Sequence, residues 1–457
     1  MLTVSRNKPL DFFFQPVHIA PLAVFRVLFG GVMSAGMVRF MVKGWVYDLY
    51  VKPTFYFTYY GFEWVKPLGE PGMYLLFTAV ALSAFLVMIG FLYRAASVAF
   101  FLGFTYIELV DKTNYLNHYY FITLVGFLMA LLPAGRYFSV DAWLRPSLRR
   151  THVPRWMVGA LQLQLAMVYF FAGIAKLNDD WLLRAMPLRI WLPPHTGLPL
   201  IGPLMDEPWV AYVFSWFGAV YDLGIVFLLL GRRTRLFGYA LVLAFHLMTA
   251  WLFPIGMFPY VMILLTLVFF PESFHRKVTG AAGRLVWQPR AEVEPVPGRA
   301  LRPAWPLKLL VGVLAVHFAV QAALPFRYLL YPGQLFWTEQ GYRFSWRVML
   351  MEKAGTVFFY VTDPATGREG EVTNRDFLTP NQEKMMATQP DMILQFAHFL
   401  ADHYRRQGIA NPRITAESYV TLNGSGSRPF LDRTVDLTKE LEGFAPKRWI
   451  LSFSDSQ

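Results

Sequence analysis

Between Arg155 and Lys176 the chain reads RWMVGALQLQLAMVYFFAGIAK, and this stretch decides the class of fold. No charged residue stands between its two ends, and roughly 20 apolar residues in helical form are enough to cross the hydrocarbon core of a bilayer. Similar stretches occur near 19–41, 72–92, 95–110, 118–135, 209–230, 236–253, 255–271 and 305–325. The sequence therefore predicts a mainly α-helical, polytopic transmembrane bundle of about nine spans.

The composition and the charge pattern also indicate a membrane protein. Apolar residues make up 55% of the chain and charged residues only 16%, against roughly 25% in soluble domains. A net charge of +12 would suggest nucleic acid in a soluble protein, but here Lys and Arg collect in every second loop between spans. Basic loops stay on the cytoplasmic side. We therefore expect a multi-pass protein of the cell (inner) membrane, with a cytoplasmic N-terminus, membrane lipids around it and no nucleic-acid partner.

Several classes of chemistry are excluded by what the sequence lacks. There is no cysteine, which removes disulfides, thiolate metal sites and cysteine nucleophiles. The chain also has no HExxH motif, no phosphate-binding Gly-rich loop and no GxSxG nucleophile elbow. Any redox chemistry must therefore come from a bound cofactor, and we expect no metal.

The C-terminal part follows a different pattern from the bundle. The segment 272–304 is rich in Pro, Gly and charge, which indicates a cytoplasmic linker. The bundle is assigned to residues 1–325 and an extracytoplasmic α/β domain to residues 326–457. Within that domain we expect strands at Tyr342–Met351, Val357–Thr362 and Ile414–Leu422, a turn at Asp363, Pro364 and Gly367, and a helix from about Asn381 to Arg406.

Polar side chains at membrane depth are costly and usually face a cavity or a partner. The informative ones gather at the outer side of three spans: Lys176 ends the fifth, Asn117 and His118 begin the fourth, and His246 lies in the seventh. A lysine at the end of a span commonly extends to the interface. Held in an apolar pocket instead, it would stay neutral and able to accept a proton. The structural alternative to a functional role is helix capping for His118 and packing in the core for His246.

Asp222, inside the sixth span, has two interpretations. It is either the buried structural partner of an arginine such as Arg26 or a member of a proton path. Both interpretations follow from the cost of a lone carboxylate in a membrane.

A series of short motifs resembles one family in order and content. The motifs are LAVFR (22–26), DKTNYLNHYY (111–120), RYFSVDAWL (136–144), HVPRW (152–156), VYFFAGIAKLNDDW (168–181), FHLM (245–248), LFPIGMFPYVM (252–262) and GYRFSW (341–346). Each is weak alone, but the ordered set is similar to the vitamin K-dependent γ-glutamyl carboxylases. The resemblance implies an enzyme that oxidises vitamin K hydroquinone or menaquinol to its epoxide with O2. It implies that this reaction drives the addition of CO2 to the γ-carbon of glutamate in a peptide or protein.

The same resemblance implies roles for individual residues. Lys176 would start the quinol reaction, Asn117 and His118 would serve carboxylation, and His246 would line the cofactor pocket. The γ-proton of glutamate is far too weakly acidic for any side-chain base, so a stronger base must be made on site from the quinol, away from water.

Docking of an acidic peptide would need cations, and the candidates are Arg189, Lys353 and Arg433. Two other functions stay open at this point. One is a quinol epoxidase or oxidase without carboxylation, and the other is a transporter or a non-catalytic scaffold on the same bundle.

Overall fold

A computed structural model describes residues 9–286 and 305–453. Ten helices form its membrane-side part: α1 Ala20–Val42, α2 Gly69–Ile89, α3 Tyr93–Val110, α4 Asn117–Leu131, α5 Arg155–Ala175, α6 Pro208–Leu230, α7 Arg235–Leu252, α8 Phe258–Leu265, α9 Glu272–Val286 and α10 Trp305–Ala323. Short helices lie before, between or after them at Pro9–Phe14, Trp45–Tyr50, Val140–Leu144, Asp179–Leu182, Leu188–Trp191 and Leu335–Thr338. A short antiparallel ribbon joins β1 Pro16–His18 to β2 His152–Pro154.

The predicted polytopic helical bundle is confirmed, and helices occupy all nine predicted positions. Among the described residues, seven helices are long and apolar enough to cross a membrane, or eight if one bent pair counts as a span. That pair is Phe258–Phe269 followed by Glu272–Arg284, which meet at an angle of 112°. Helix α4 has only 15 residues, which is short of the roughly 20 that a full crossing takes. The number of complete crossings is therefore smaller than nine.

The segment 272–304 is not simply a linker. Its first half forms α9, whose buried face carries His275, Thr279 and Gly283 at helical spacing and packs against α1. The backbone N–H of His18 also donates to Glu272 at 2.9 Å. Residues 287–304 lie outside the described part of the chain.

Arg26 stabilises one end of the bundle through carbonyl oxygens, and no carboxylate among the described residues lies within 4.0 Å of its guanidinium. Its buried guanidinium donates to the carbonyl oxygens of Val87 at 2.9 Å and Met88 at 2.7 Å, and also to that of Phe138. The last carbonyls of a helix have no partner inside the helix, and Arg26 supplies one at the C-terminal end of α2. The expectation that Arg26 pairs with Asp222 is therefore wrong.

The C-terminal part is a small α/β unit. Its sheet has four antiparallel strands in the order β4-β3-β5-β6, with bounds β3 Lys353–Thr362, β4 Glu369–Val372, β5 Arg413–Leu422 and β6 Arg428–Pro429. The expected strands at Val357–Thr362 and Ile414–Leu422 are confirmed. The expected helix is two helices, α11 Pro380–Met386 and α12 Pro390–Arg406, because a proline cannot continue the preceding helix.

The expected strand at Tyr342–Met351 is wrong. Phe344, Trp346 and Met349 have φ values of 62°, 60° and 53°, so the backbone repeatedly enters the left-handed region that an extended strand excludes. The segment is a folded loop that reaches the bundle. Non-glycine residues held in this region are strained and concentrate at functional sites.

Polar contacts fasten the C-terminal unit to the loops between the helices. Gln382 donates to Asp111 at 3.0 Å and to the carbonyl of Phe55 at 2.7 Å. Asp391 accepts from Lys112 at 2.9 Å and from Arg343 at 2.7 Å. Burial acts to raise the pKa of Asp391, but the Arg343 and Lys112 cations outweigh it and hold that pKa well below its usual range.

Replacing Asp391 with asparagine should weaken this attachment. We expect a loss of about 2 kcal/mol, the order of one charge-assisted contact that is partly exposed, seen as a lower Tm in detergent. Because the folded-state pKa is depressed, the stabilisation is complete above about pH 4 and is lost as the pH falls further. The Tm difference between the wild type and D391N should therefore shrink in acid, and a constant difference between pH 7 and pH 3 would contradict this assignment.

Candidate active site

Lys176 caps the C-terminal end of α5 and points into the protein. Its Nζ atom lies 2.6 Å from Oδ2 of Asp222, and the two side chains are only 8% and 6% exposed. Nζ also donates to the carbonyl of Ala172 at 3.3 Å and lies 5.4 Å from the centre of the Trp181 ring. Lys176 thus does not extend to the interface, and Asp222 is its partner.

A close approach of α5 and α6 brings the two charges together. At Gly173, a Cβ atom would lie 2.8 Å from the side chain of Leu223 and 2.9 Å from its backbone nitrogen. No side chain larger than hydrogen fits at that distance, so glycine is required where the two helices cross. The contact sets Lys176 three residues further along α5 beside Asp222, the residue before Leu223.

His246 lies in the same pocket as this pair. Its Nε2 atom is 3.1 Å from the hydroxyl of Tyr169, which is 3.3 Å from the hydroxyl of Thr266. Its side chain is almost fully buried. A cavity of about 110 Å³ is lined by Lys176, Asp222, His246 and apolar or aromatic side chains that include Trp181, Phe217 and Phe245. We refer to it as the lysine cavity.

Asn117 and His118 line a second and larger cavity of about 900 Å³, which we refer to as the histidine cavity. The side-chain amide of Asn117 donates to the carbonyl of Arg347 at 3.1 Å and accepts from the hydroxyl of Tyr115 at 3.1 Å. His118 makes ring contacts with Tyr119 and Phe258 and has no hydrogen-bond partner in the described part of the chain. Asn117 is therefore fixed by the fold, whereas the imidazole of His118 is available to a ligand.

The two cavities have a common wall. Ile255, Phe258, Val348 and Met349 line both of them. The Phe258 ring lies 5.6 Å from that of His118 and 6.1 Å from that of His246. The lysine and the free histidine thus face adjoining cavities that only apolar side chains separate.

The three cations expected to dock substrate differ in position. Lys353 lines the histidine cavity, but its Nζ is already bound to Glu339 at 2.8 Å and to two carbonyl oxygens at 2.7 Å. Burial lowers the pKa of Lys353, and Glu339 acts in the opposite direction. Arg189 is exposed and lines neither cavity, and Arg433, which also lines neither, pairs with Glu417 at 3.0 Å. The structure does not bring these two to the site.

Sequence reasoning left the role of Asp222 open and missed Arg347. Asp222 was considered either a structural partner or a member of a proton path, but its helix alone does not reveal which cation it meets. Arg347 was not singled out, and the available signal was its position directly after the aromatic-rich GYRFSW motif.

Two families match this chain. The model of the HTTM domain matches residues 14–274, which is more than half of the chain. The model described as "Vitamin K-dependent gamma-carboxylase, lumenal domain" matches residues 307–456. No solved structure matches. The first match contains Lys176 and His118, and the second contains Arg347.

Proposed function

Starting from the fact that this chain belongs to the vitamin K-dependent gamma-carboxylase family, we propose that it is a membrane-embedded γ-glutamyl carboxylase driven by a reduced quinone. The substrates would be vitamin K hydroquinone or menaquinol, O2, CO2 and a glutamate-containing peptide or protein. The observation that carries the proposal is the buried Lys176–Asp222 pair in a cavity that adjoins the one holding His118. The basic loops support an N-terminus in the cytoplasm and a C-terminal domain outside it.

The first step requires a base for a phenolic proton. The amine of Lys176 and the carboxylate of Asp222 can together hold two titratable protons. When they hold only one, the pair can accept another. When Asp222 holds the shared proton, Nζ of Lys176 is an amine that can take the phenolic proton. The resulting ammonium then balances the phenolate, so no net charge appears in the apolar cavity, where an unbalanced charge would be costly.

The lysine cavity fits such a ligand by its chemistry. Aromatic and aliphatic walls suit a flat apolar ring, and Nζ of Lys176 and the imidazole of His246 are polar groups that can fix its oxygens. When bound, the reduced quinone supplies, through its reaction with O2, a base stronger than any side chain. The balanced result is one epoxide and one water per quinol and O2, and one added carboxyl group per glutamate and CO2.

The second step requires a protected place for the glutamyl carbanion. The wall formed by Ile255, Phe258, Val348 and Met349 keeps water away from the path between the cavities, because it offers no hydrogen-bonding side chain. His118 faces the larger cavity, and within the described part of the chain no residue hydrogen-bonds to its ring nitrogens. We assign it to holding CO2 and the glutamyl side chain in reach of each other, with Asn117 fixing the neighbouring loop.

Purified protein in detergent, supplied with vitamin K hydroquinone, labelled bicarbonate and a glutamyl peptide, tests the proposal. The expected result is label in the peptide at the γ-carbon together with quinone epoxide. Epoxide without label would reject carboxylation and support a quinol epoxidase. Neither product, with menaquinol tested in parallel, would reject the enzyme and support a transporter or scaffold.

Replacing Asp222 with asparagine should slow quinol turnover without removing the lysine. We expect a loss of about a hundredfold, because the amide cannot take the proton of Lys176. We also expect a stability loss on the order of 3 kcal/mol, since the remaining buried cation is unpaired. The readouts are epoxide formation and Tm. D222E, which keeps the carboxylate, is the matched variant and should retain more activity, while equal loss in both would argue against the proton role.

A further inference from the structure

The histidine cavity has an excess of positive charge. Its lining holds six Lys and Arg residues against three Asp and Glu residues: Arg39, Lys112, Arg343, Arg347, Lys353 and Lys384 on one side, and Asp48, Glu339 and Glu352 on the other. Arg39, Lys384 and Asp48 are exposed, so water screens them. The charges that matter for a ligand are therefore the buried ones.

All but one of the buried cations have a carboxylate partner. Lys112 and Arg343 share Asp391, and Lys353 pairs with Glu339 at 2.8 Å. Glu352, the remaining carboxylate, accepts from the indole of Trp191 at 2.6 Å. The Lys353–Glu339 pair lies within the C-terminal unit, whereas the contacts of Lys112 and Trp191 attach that unit to the bundle.

Arg347 is the exception. It is only 8% exposed, and no carboxylate of the described residues lies within 4.0 Å of its guanidinium. Its Nε atom has no hydrogen-bond partner there, and its Cζ atom lies 4.5 Å from the centre of the Tyr328 ring. A buried cation without a carboxylate partner is unfavourable, and a bound anion would supply that partner.

The position of Arg347 indicates which anion. Its backbone carbonyl accepts from Asn117, the residue before His118, at 3.1 Å. It stands in the loop with positive φ at Phe344, Trp346 and Met349, and the next two residues, Val348 and Met349, form part of the wall towards the lysine cavity. Arg347 and His118 thus line the same cavity, so one bound side chain could contact both.

We propose that Arg347 binds the side-chain carboxylate of the glutamate that is to be modified, and thereby selects glutamyl over glutaminyl peptides. The inference rests on the proposed function and adds to it the residue that recognises the substrate. A guanidinium holds a carboxylate through two parallel hydrogen bonds. Partial neutralisation of that carboxylate also makes the adjacent γ-carbon easier to deprotonate.

Binding of two peptides that differ only in Glu or Gln tests the proposal without need for turnover. The wild type should bind the glutamyl peptide about ten- to a hundredfold more tightly than the glutaminyl peptide, the range expected for a charge-assisted contact. R347Q should lose that preference by weakening the glutamyl peptide alone. R347K should keep part of it. R368Q, which removes an exposed arginine outside both cavities, should behave as the wild type.

The kinetics of carboxylation separate this role from a structural one. R347Q should raise KM for the glutamyl peptide much more than it lowers kcat, whereas a loss of folded protein would lower kcat and leave KM unchanged. If R347Q does not fold, the binding of the two peptides to the wild type and to R347K still tests the assignment. A wild type without preference, or an R347Q or R347K that binds both peptides as the wild type does, would overturn the assignment. If the preference for the glutamyl peptide depends on Arg347 but the protein never carboxylates that peptide, the proposed function is rejected and the binding role of Arg347 is retained.

Discussion

Replacing Lys176 with methionine should abolish formation of the quinone epoxide and, with it, all carboxylation of peptide. The expected loss is roughly a hundred- to ten-thousandfold, the range for removal of a positioned base. Methionine fills a similar volume but cannot take a proton. Both products must vanish together, because the strong base for the second step arises only from the first. The measurement is epoxide and labelled peptide from the same reaction.

A double variant separates catalysis from folding in this case. K176M alone leaves the carboxylate of Asp222 buried without its partner at 2.6 Å, which is destabilising in itself. K176M/D222L replaces the whole pair with apolar side chains and should recover the Tm while staying inactive. Activity in the double variant would mean that another group accepts the phenolic proton.

Replacing His118 with leucine should uncouple the two reactions. Carboxylation should fall by at least roughly a hundredfold, while quinol epoxidation continues, because His118 lines the histidine cavity and not the lysine cavity. The ratio of labelled peptide to epoxide is the measurement that reports this directly. A ratio near one is expected for the wild type and a ratio near zero for the variant.

H246L provides the matched comparison, since His246 is the other imidazole in contact with Phe258 but lies in the lysine cavity. It should lower both products in parallel and leave their ratio unchanged. If H118L and H246L changed the ratio in the same way, the assignment of quinol oxidation to the lysine cavity and of carboxylation to the histidine cavity would be wrong.

The sequence predicted the features that depend on runs of similar residues. Spans such as Arg155–Ala175 and strands such as Arg413–Leu422 follow from local hydrophobicity and alternation. Lys176, Asn117, His118 and His246 were singled out as candidates because polar residues in apolar segments are rare, and all four line the two cavities. The break between the helices Pro380–Met386 and Pro390–Arg406 was not predicted, although Pro390 indicates it, since proline seldom continues a helix.

The features that were missed depend on which segments meet. One of the two interpretations of Asp222 paired it with an arginine such as Arg26, but Arg26 is satisfied by carbonyl oxygens at the end of α2, and the crossing at Gly173 places Asp222 beside Lys176. The alternation at Tyr342–Met351 resembles a strand, yet positive φ values bend it into a loop. The sequence predicts Arg189 and Arg433 on the outer side, and only the fold shows that neither lines the lysine cavity or the histidine cavity.

The wall of Ile255, Phe258, Val348 and Met349 has a consequence for the efficiency with which the proposed enzyme would couple quinol oxidation to carboxylation. If the proposed function holds, this wall would determine how often an oxidised quinol leads to a modified glutamate rather than to a wasted turnover. Its members come from two distant parts of the chain, the approach to α8 and the loop after Trp346. The yield per oxygen consumed would then depend on how tightly the C-terminal unit packs on the helices, and so on residues that perform no chemistry themselves.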